Sequence, residues 1–466
     1  MPPSRTGTRH RSPRPAALAA LGTALVAATV LTGGAGGSAA ATGPAATGPL
    51  DLAAAQRVDN PYAGARVYVN PEWSARAASV PGGEAVADQP TAVWLDRIAA
   101  IGGSGGRMGL REHLDAALAQ GAGVVQLVLH DLPLRDCDRI SPYGELGPDD
   151  LPRYRESFVD PIADILADPA YADLRIVTVV EPNSLSRLVT HVEPRAIATR
   201  ACEQARDTGV YVEGIGYALA TLGALPNVYP YLDLSHHGWL GWDEDFHAAA
   251  RLLRDAATSA GSTTAAVHGF VSNVADYSVL DEPYLDAGDV VAGVPVHQSR
   301  WVDWNPYLDE LPYVAAFRAE LTGLGFDADI GMLIDTSRNG WGGPNRPTGP
   351  GSAVNVDEYV NQSRTDRRIV AANWCNQAGS GLGERPTAAP APGVDAYVWA
   401  KPPGESDGSP LEGQSGLRGE PMCDPEYLGM GANPPRTGAL PDAPPAGAWF
   451  PAHFAELLSN AWPPLE

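Results

Sequence analysis

The chain has 466 residues, is 44% hydrophobic and 19% charged, and carries a formal charge of −23. That length and apolar content suit one large domain with a buried core. The acidic balance argues against nucleic acid and anionic membrane surfaces as partners, which call for basic patches, and leaves neutral substrates open.

Residues 1–41 are predicted to be a secretory signal peptide: Arg5, Arg9, Arg11 and Arg14 form a basic start, an Ala/Leu/Val run covers 16–31, and small residues continue to Ala41. No later segment approaches the ~20 continuous apolar residues of a membrane span. A secreted, extracellular protein without a membrane partner is therefore expected. Residues 42–59 are rich in small residues and read as a flexible N-terminal segment, and 60–466 as one folded domain. Export gives the four cysteines a meaning, since an even count in an oxidising compartment predicts disulfides. Three pairings are possible for Cys137, Cys202, Cys375 and Cys423, and pairing within each half is the simplest. None has the close spacing of a zinc site.

Short apolar runs, most of them β-branched, predict strands at 65–69, 124–130, 175–180, 228–234, 266–272, 330–334 and 396–400. Their length and composition fit strands buried on both faces. Amphipathic stretches such as 110–119 and 195–208 lie between them. This alternation predicts an α/β fold with a parallel sheet, most simply a barrel. Polar residues gather where each strand ends. Asp131 and Asp136 follow the second run, Glu181 and Asn183 the third, and Asp233, His236 and His237 end or follow the fourth. Asn273 and Asp276 follow the fifth, Asp335 and Arg338 the sixth, and Lys401, Glu405 and Asp407 the last. Barrel enzymes build their sites on that rim.

Lys401 is the only lysine of the chain. Everywhere else the cation is arginine, whose planar fork suits carboxylates, whereas an ammonium can serve several hydroxyls. Trp239 and Trp242, Trp341 and Trp374 sit in Gly- or Asn-containing segments, which suit exposed rings better than core packing. Flat aromatic faces beside carboxylates and amides are what a sugar ring requires.

Five motifs resemble glycoside hydrolase family six, the inverting cellobiohydrolases and endoglucanases of β-1,4-glucans. They are Asp131-Leu-Pro-Leu-Arg-Asp-Cys137, Glu181-Pro-Asn-Ser-Leu185, Tyr231-Leu-Asp-Leu-Ser-His-His-Gly-Trp-Leu-Gly-Trp242, the segment from Asp335 through Trp341 to Gly349, and Lys401-Pro-Pro-Gly-Glu-Ser-Asp-Gly408. The last two look most like the bacterial exo-acting branch. The resemblance runs from about residue 60 to 464. It implies a single distorted parallel β/α barrel with long loops enclosing a cleft or tunnel, and a disulfide within each half. It also implies a monomer acting on a β-glucan polysaccharide or oligosaccharide without metal or cofactor. Residues 402–431, tied by Cys423, resemble a loop that roofs a tunnel. By motif, Asp136 resembles the carboxylate that assists the acid and organises the water, and Asp407 the base or second acidic group. Lys401, Glu405, Asp233, His236, Trp239, Trp374, Asn273 and Asp276 resemble sugar-holding residues, and Tyr68 and Asn70 the first-strand contacts.

The sequence departs from the family at its acid. The donor aspartate of a Glu-Pro-Asp-Ser-Leu motif is here Asn183, and an amide cannot deliver a proton as a carboxylic acid does. His130 stands where tyrosine is usual, and Ser235 and His237 replace small residues. The expected function is hydrolysis of β-1,4-glucan with weakened or redirected catalysis. Two other readings stay open: a carbohydrate-binding protein without turnover, and hydrolysis of another β-glycan with His130 or Asp136 moving the proton.

Overall fold

The apolar runs assemble into an eight-stranded sheet that is parallel except at one edge. The computed structural model describes residues 57–139, 144–410, 419–428 and 436–466. The expected signal peptide, most of the expected N-terminal segment and parts of the 402–431 loop lie outside the described residues. Strands β1 (Val93–Leu95), β2 (Val124–Leu129), β3 (Arg175–Val180), β4 (Val228–Asp233) and β5 (Gly269–Ser272) pair in sequence order. A separate hairpin, β6 (Val290–Val291) and β7 (Val294–Pro295), follows. The sheet resumes with β8 (Gly331–Asp335) and β10 (Val394–Val398), and β9 (Thr387–Ala391) pairs antiparallel with β10 at the edge.

Both faces of the parallel strands are buried. On β2, Val125, Leu127 and Leu129 pack into the layer shared with the helices, while Val124 and Val128 fill the interior of the curl. Ile176 and Val180 against Val177 and Val179 repeat the pattern on β3. This period of two with both sets apolar is why these runs read as continuous hydrophobic segments. The sheet curls until its ends meet near the top. Ala92 N donates to Trp399 O at 3.1 Å, and Trp94 Nε1 to Ala400 O at 2.7 Å. Among the described residues no ladder joins β1 to β10, so the expected barrel is distorted and open along one seam. The register from Val124↔Arg175 to Leu129↔Val180 sets β2 and β3 level at their ends. His130 and Glu181 therefore emerge side by side.

Three expected elements are corrected. The strand expected at 65–69 is a single bridge, Val67↔Val124, because the upper part of that edge of β2 is taken by β1 through Val93↔Leu127 to Leu95↔Leu129. The run expected from 266 is strand only from Gly269, after a 3-10 turn at Thr264–Ala266. The helix expected from 195 starts at Arg200, where the Thr199 side chain accepts from Cys202 N and satisfies an orphan helix donor. The cysteines pair as Cys137–Cys202 and Cys375–Cys423. No helix among the described residues is long and apolar enough to cross a membrane.

Candidate functional site

The carboxylates at the strand ends divide into two groups. One group braces neighbouring loops through backbone N–H groups. Buried Glu181 accepts from Asp131 N at 3.0 Å, Leu132 N at 3.3 Å and Tyr154 Oη at 2.9 Å, which fixes the loop after β2. Asp233 Oδ2 accepts from Asn183 N at 2.8 Å and Ser235 N at 3.0 Å, tying the loop after β3 to that after β4. Asp335 Oδ2 accepts from Ala275 N at 3.1 Å and Lys401 N at 2.9 Å, tying the loops after β5 and β10. These bonds satisfy backbone donors in segments that turn sharply: Glu181, Asn183, Ser235 and Asn273 have φ of 50°, 58°, 56° and 64°, a region non-glycine residues seldom occupy. Burial raises Asp131 to about 9 and Asp233 to about 7.

The second group lines one cleft above the strand ends. Asp136, Asp276, Glu405 and Asp407 meet there with Lys401, His236, Trp239, Trp374, Asn183 and His130. Asp136 follows β2, and burial alone would raise its pKa. The neighbouring His130, whose Nε2 is 3.8 Å from Oδ2, and the Arg187 and Arg139 charges outweigh burial and hold it well below the usual carboxylate range. Arg187 Nη2 is 3.2 Å from Asp136 Oδ1, and the same guanidinium donates to Asn183 O and pairs with Asp138. Asp407 accepts both oxygens' worth of bonds from Arg338 Nη1 at 2.8 Å, and further bonds from Tyr277 Oη at 2.9 Å and Asn376 N at 2.8 Å. Arg338 and Lys401 override burial and lower the Asp407 pKa. Lys401 Nζ stands 3.7 Å from Asp407 Oδ1, 3.3 Å from Ser406 O and 5.5 Å from the centre of the Trp94 ring. Burial lowers its own pKa, against the pull of Asp407. Glu405 is flanked by Arg76 at 3.4 Å and Arg107 at 3.3 Å.

Several expected site residues fall elsewhere. Tyr68 is buried, with its hydroxyl 2.9 Å from His113 Nδ1, because the bridge at Val67 turns it into the helix layer. Asn70 caps the helix Pro71–Ala78 through Glu72 N and lines an adjoining depression that shares Glu405 and Arg107 with the cleft. Asn273 spends its amide on Asp335 O and Ser278 O and does not line the cleft. Asp233 is a brace, as above. Trp341 is fully buried, with Nε1 donating to Tyr277 O at 2.7 Å. Its flanking glycines serve close backbone approach, since a Cβ on Gly340 would meet Leu382 O at 2.0 Å. Trp239 stacks on His191 at 5.4 Å, and the Arg139 guanidinium lies 3.1 Å over the Trp374 ring. The sequence reading did not reach Trp94, Arg107, Arg139 or Arg187, which also line the cleft. Trp94 was hidden in a three-residue strand, and the arginines lacked any motif that distinguishes them from surface cations.

Residues 56–461 match the family described as Glycosyl hydrolases family 6. Exoglucanase A of Cellulomonas fimi is 45% identical over 437 residues, which cover 88% of this chain and 49% of that protein, so the chain spans about half its length. The solved catalytic domain of Cellulomonas fimi Cel6B is 43% identical, with a TM-score of 0.84 over 88% of this chain and 97% of that one. Cellobiohydrolase II (Cel6A) of Humicola insolens, solved with glucose and cellotetraose, is 29% identical, with a TM-score of 0.66 over 87% of this chain and 99% of that one.

Proposed function

The chain belongs to glycosyl hydrolases family 6, and on that premise we propose that it is a secreted, monomeric hydrolase of β-1,4-glucan. It acts from chain ends on cellulose or cello-oligosaccharides, with inversion at the anomeric carbon. One observation carries this reading: Lys401, Glu405 and Asp407 converge with Trp239, Trp374 and His236 in one cleft over the strand ends. Aromatic faces take the apolar faces of glucose rings, and the charged groups take hydroxyls.

An inverting hydrolysis needs one group to protonate the leaving oxygen and another to take a proton from water on the opposite face. Asp407 has the charge for the second role, because Arg338 and Lys401 keep it ionised. Asp136, held ionised by Arg187, Arg139 and His130, can orient water but is a poor donor. Asn183 occupies the donor's place in the motif, and its amide carries no acidic proton. Loss of general acid help costs ~10²–10⁴-fold, so turnover slower than that of an intact site is expected.

A second reading, a glucan-binding protein without turnover, is favoured by Asn183 itself. Its Nδ2 donates to Val274 O at 3.1 Å, which is a fixed structural role. Incubating the purified full chain with cellotetraose and following product anomers by NMR separates the two. Release of α-cellobiose supports inverting hydrolysis, whereas calorimetric binding with no product after long incubation supports the binding protein.

Lys401→Arg is expected to weaken cellotetraose binding about tenfold although the charge is kept. The guanidinium is broader than the ammonium that fits between Asp407, Ser406 O and the Trp94 face. Calorimetric titration checks this, and unchanged affinity would mean that Lys401 makes no shape-dependent contact with the glucan.

A further inference from the structure

Among the described residues six carboxylates line the cleft: Asp96, Asp136, Asp138, Asp276, Glu405 and Asp407. Five of them have an arginine partner: Asp96 has Arg97, Asp136 and Asp138 share Arg187, Glu405 has Arg76 and Arg107, and Asp407 has Arg338. Among the described residues Asp276 is paired only with His236, whose Nε2 is 3.5 Å from Oδ1. That oxygen is buried and takes no hydrogen bond. His236 supplies no charge, because burial pushes its pKa down to about 3. Its Nδ1 is 2.9 Å from Ser278 Oγ, which already accepts from Arg368 Nη2 at 2.8 Å.

The position of Asp276 matches the missing role. It lies on the loop after β5, two residues beyond the Val274 carbonyl that the Asn183 amide touches. The next residue, Tyr277, donates to Asp407, and Arg338 bridges Ala275 O to Asp407. Asp276 thus lines the cleft on a loop whose neighbouring residues touch both Asn183 and Asp407. We propose that Asp276 is the proton donor of this cleft, replacing the residue at 183.

In this step the Asp276 carboxyl O–H gives its proton to the glycosidic oxygen. The C1–O bond breaks, and its electron pair stays on that oxygen. Water adds to C1 from the opposite face and loses a proton to Asp407. That proton returns through solvent to the Asp276 carboxylate, so that the net reaction consumes one water. Burial raises the Asp276 pKa to about 6, against the charges of Arg368, Arg338 and Arg139 and with the help of Asp407. Asp233, the other carboxyl coupled to it, is a brace outside the cleft lining. A donor with that pKa is loaded below about pH 6 and empties above it, so kcat/KM falls on the alkaline side.

The proposal rests on the hydrolase reading, and the experiment separates the two. Native full chain, Asp276→Asn, and the double variant Asp276→Asn/Asn183→Asp are assayed on cellotetraose and on a dinitrophenyl β-cellobioside, whose leaving group needs no proton. Asp276→Asn is expected to lose ~10²–10⁴-fold in kcat/KM on cellotetraose but less than about tenfold on the aryl substrate. The double variant should regain much of the loss. The native alkaline limb near pH 6 should vanish in the single variant. Equal losses on both substrates, no loss on cellotetraose, or a native profile flat from about pH 5 to 8 would each overturn the assignment while leaving the hydrolase reading intact. The native profile keeps the proposal testable even if Asp276→Asn does not fold. A native chain that cleaves neither substrate would overturn both.

Discussion

Asp407→Asn is expected to lower kcat on cellotetraose by ~10²–10⁴-fold, and by a similar factor on a dinitrophenyl β-cellobioside. A base acts on the water and not on the leaving group, so changing the leaving group does not rescue its loss. This equality distinguishes Asp407 from Asp276, whose removal should be nearly silent on the aryl substrate. The variant also leaves Arg338, whose side chain is fully buried, without its counter-charge. Removing one partner of a buried ion pair costs about 3–5 kcal/mol. Chemical denaturation should therefore show a clear drop in stability beside the loss of activity. Tyr277 Oη and Asn376 N can still donate to the amide oxygen, and the ring of Tyr277 still lies 4.1 Å from the Arg338 guanidinium. The fold is thus expected to survive at moderate temperature. Turnover of cellotetraose within threefold of native would remove Asp407 from the base role.

Most of the sheet was legible because its strands are short, largely β-branched apolar runs of strand length that end in polar residues. The two ends of the sheet were not. Val93–Leu95 is too short to register as a run, and 65–69 looks like a strand although only Val67 pairs. Which segment takes the free edge of β2 depends on the register of the whole curl. The rim of polar residues at strand ends was equally visible, but its division into braces and cleft groups was not. Glu181, Asp233 and Asp335 face backbone N–H groups of adjacent loops, and adjacency across strands leaves no mark in one sequence. The same holds for Asp276. Its motif position suggested a sugar contact, whereas its distinguishing property is the lack of an arginine partner among the described residues. That property follows from the close partners the nearby arginines take instead: Arg338 pairs with Asp407, Arg368 with Asp366, and Arg139 lies near Asp136 and Asp138 and over the Trp374 ring.

Asn183→Asp is expected to raise hydrolysis of cellotetraose at pH 7 by about tenfold. At that pH a donor with a pKa of about 6, like Asp276, is protonated in only about one molecule in ten. A carboxyl at 183 would replace an amide whose Nδ2 donates to Val274 O at 3.1 Å. A carboxylic acid keeps that bond only while protonated, because an ionised carboxylate facing a carbonyl has no proton to give. Hydrogen bonding to the neutral form raises a pKa, as does the neighbouring Asp233, whose Oδ2 already receives the backbone N–H of residue 183. Arg187, which donates to the carbonyl of the same residue, works in the opposite direction. The backbone accepts the change, since φ at 183 is 58° and aspartate tolerates this region nearly as well as asparagine. The gain should shrink toward pH 5, where Asp276 is itself loaded, so the ratio of variant to native rates should rise with pH. A ratio that stays at one from pH 5 to 7 would show that position 183 no longer faces the scissile oxygen.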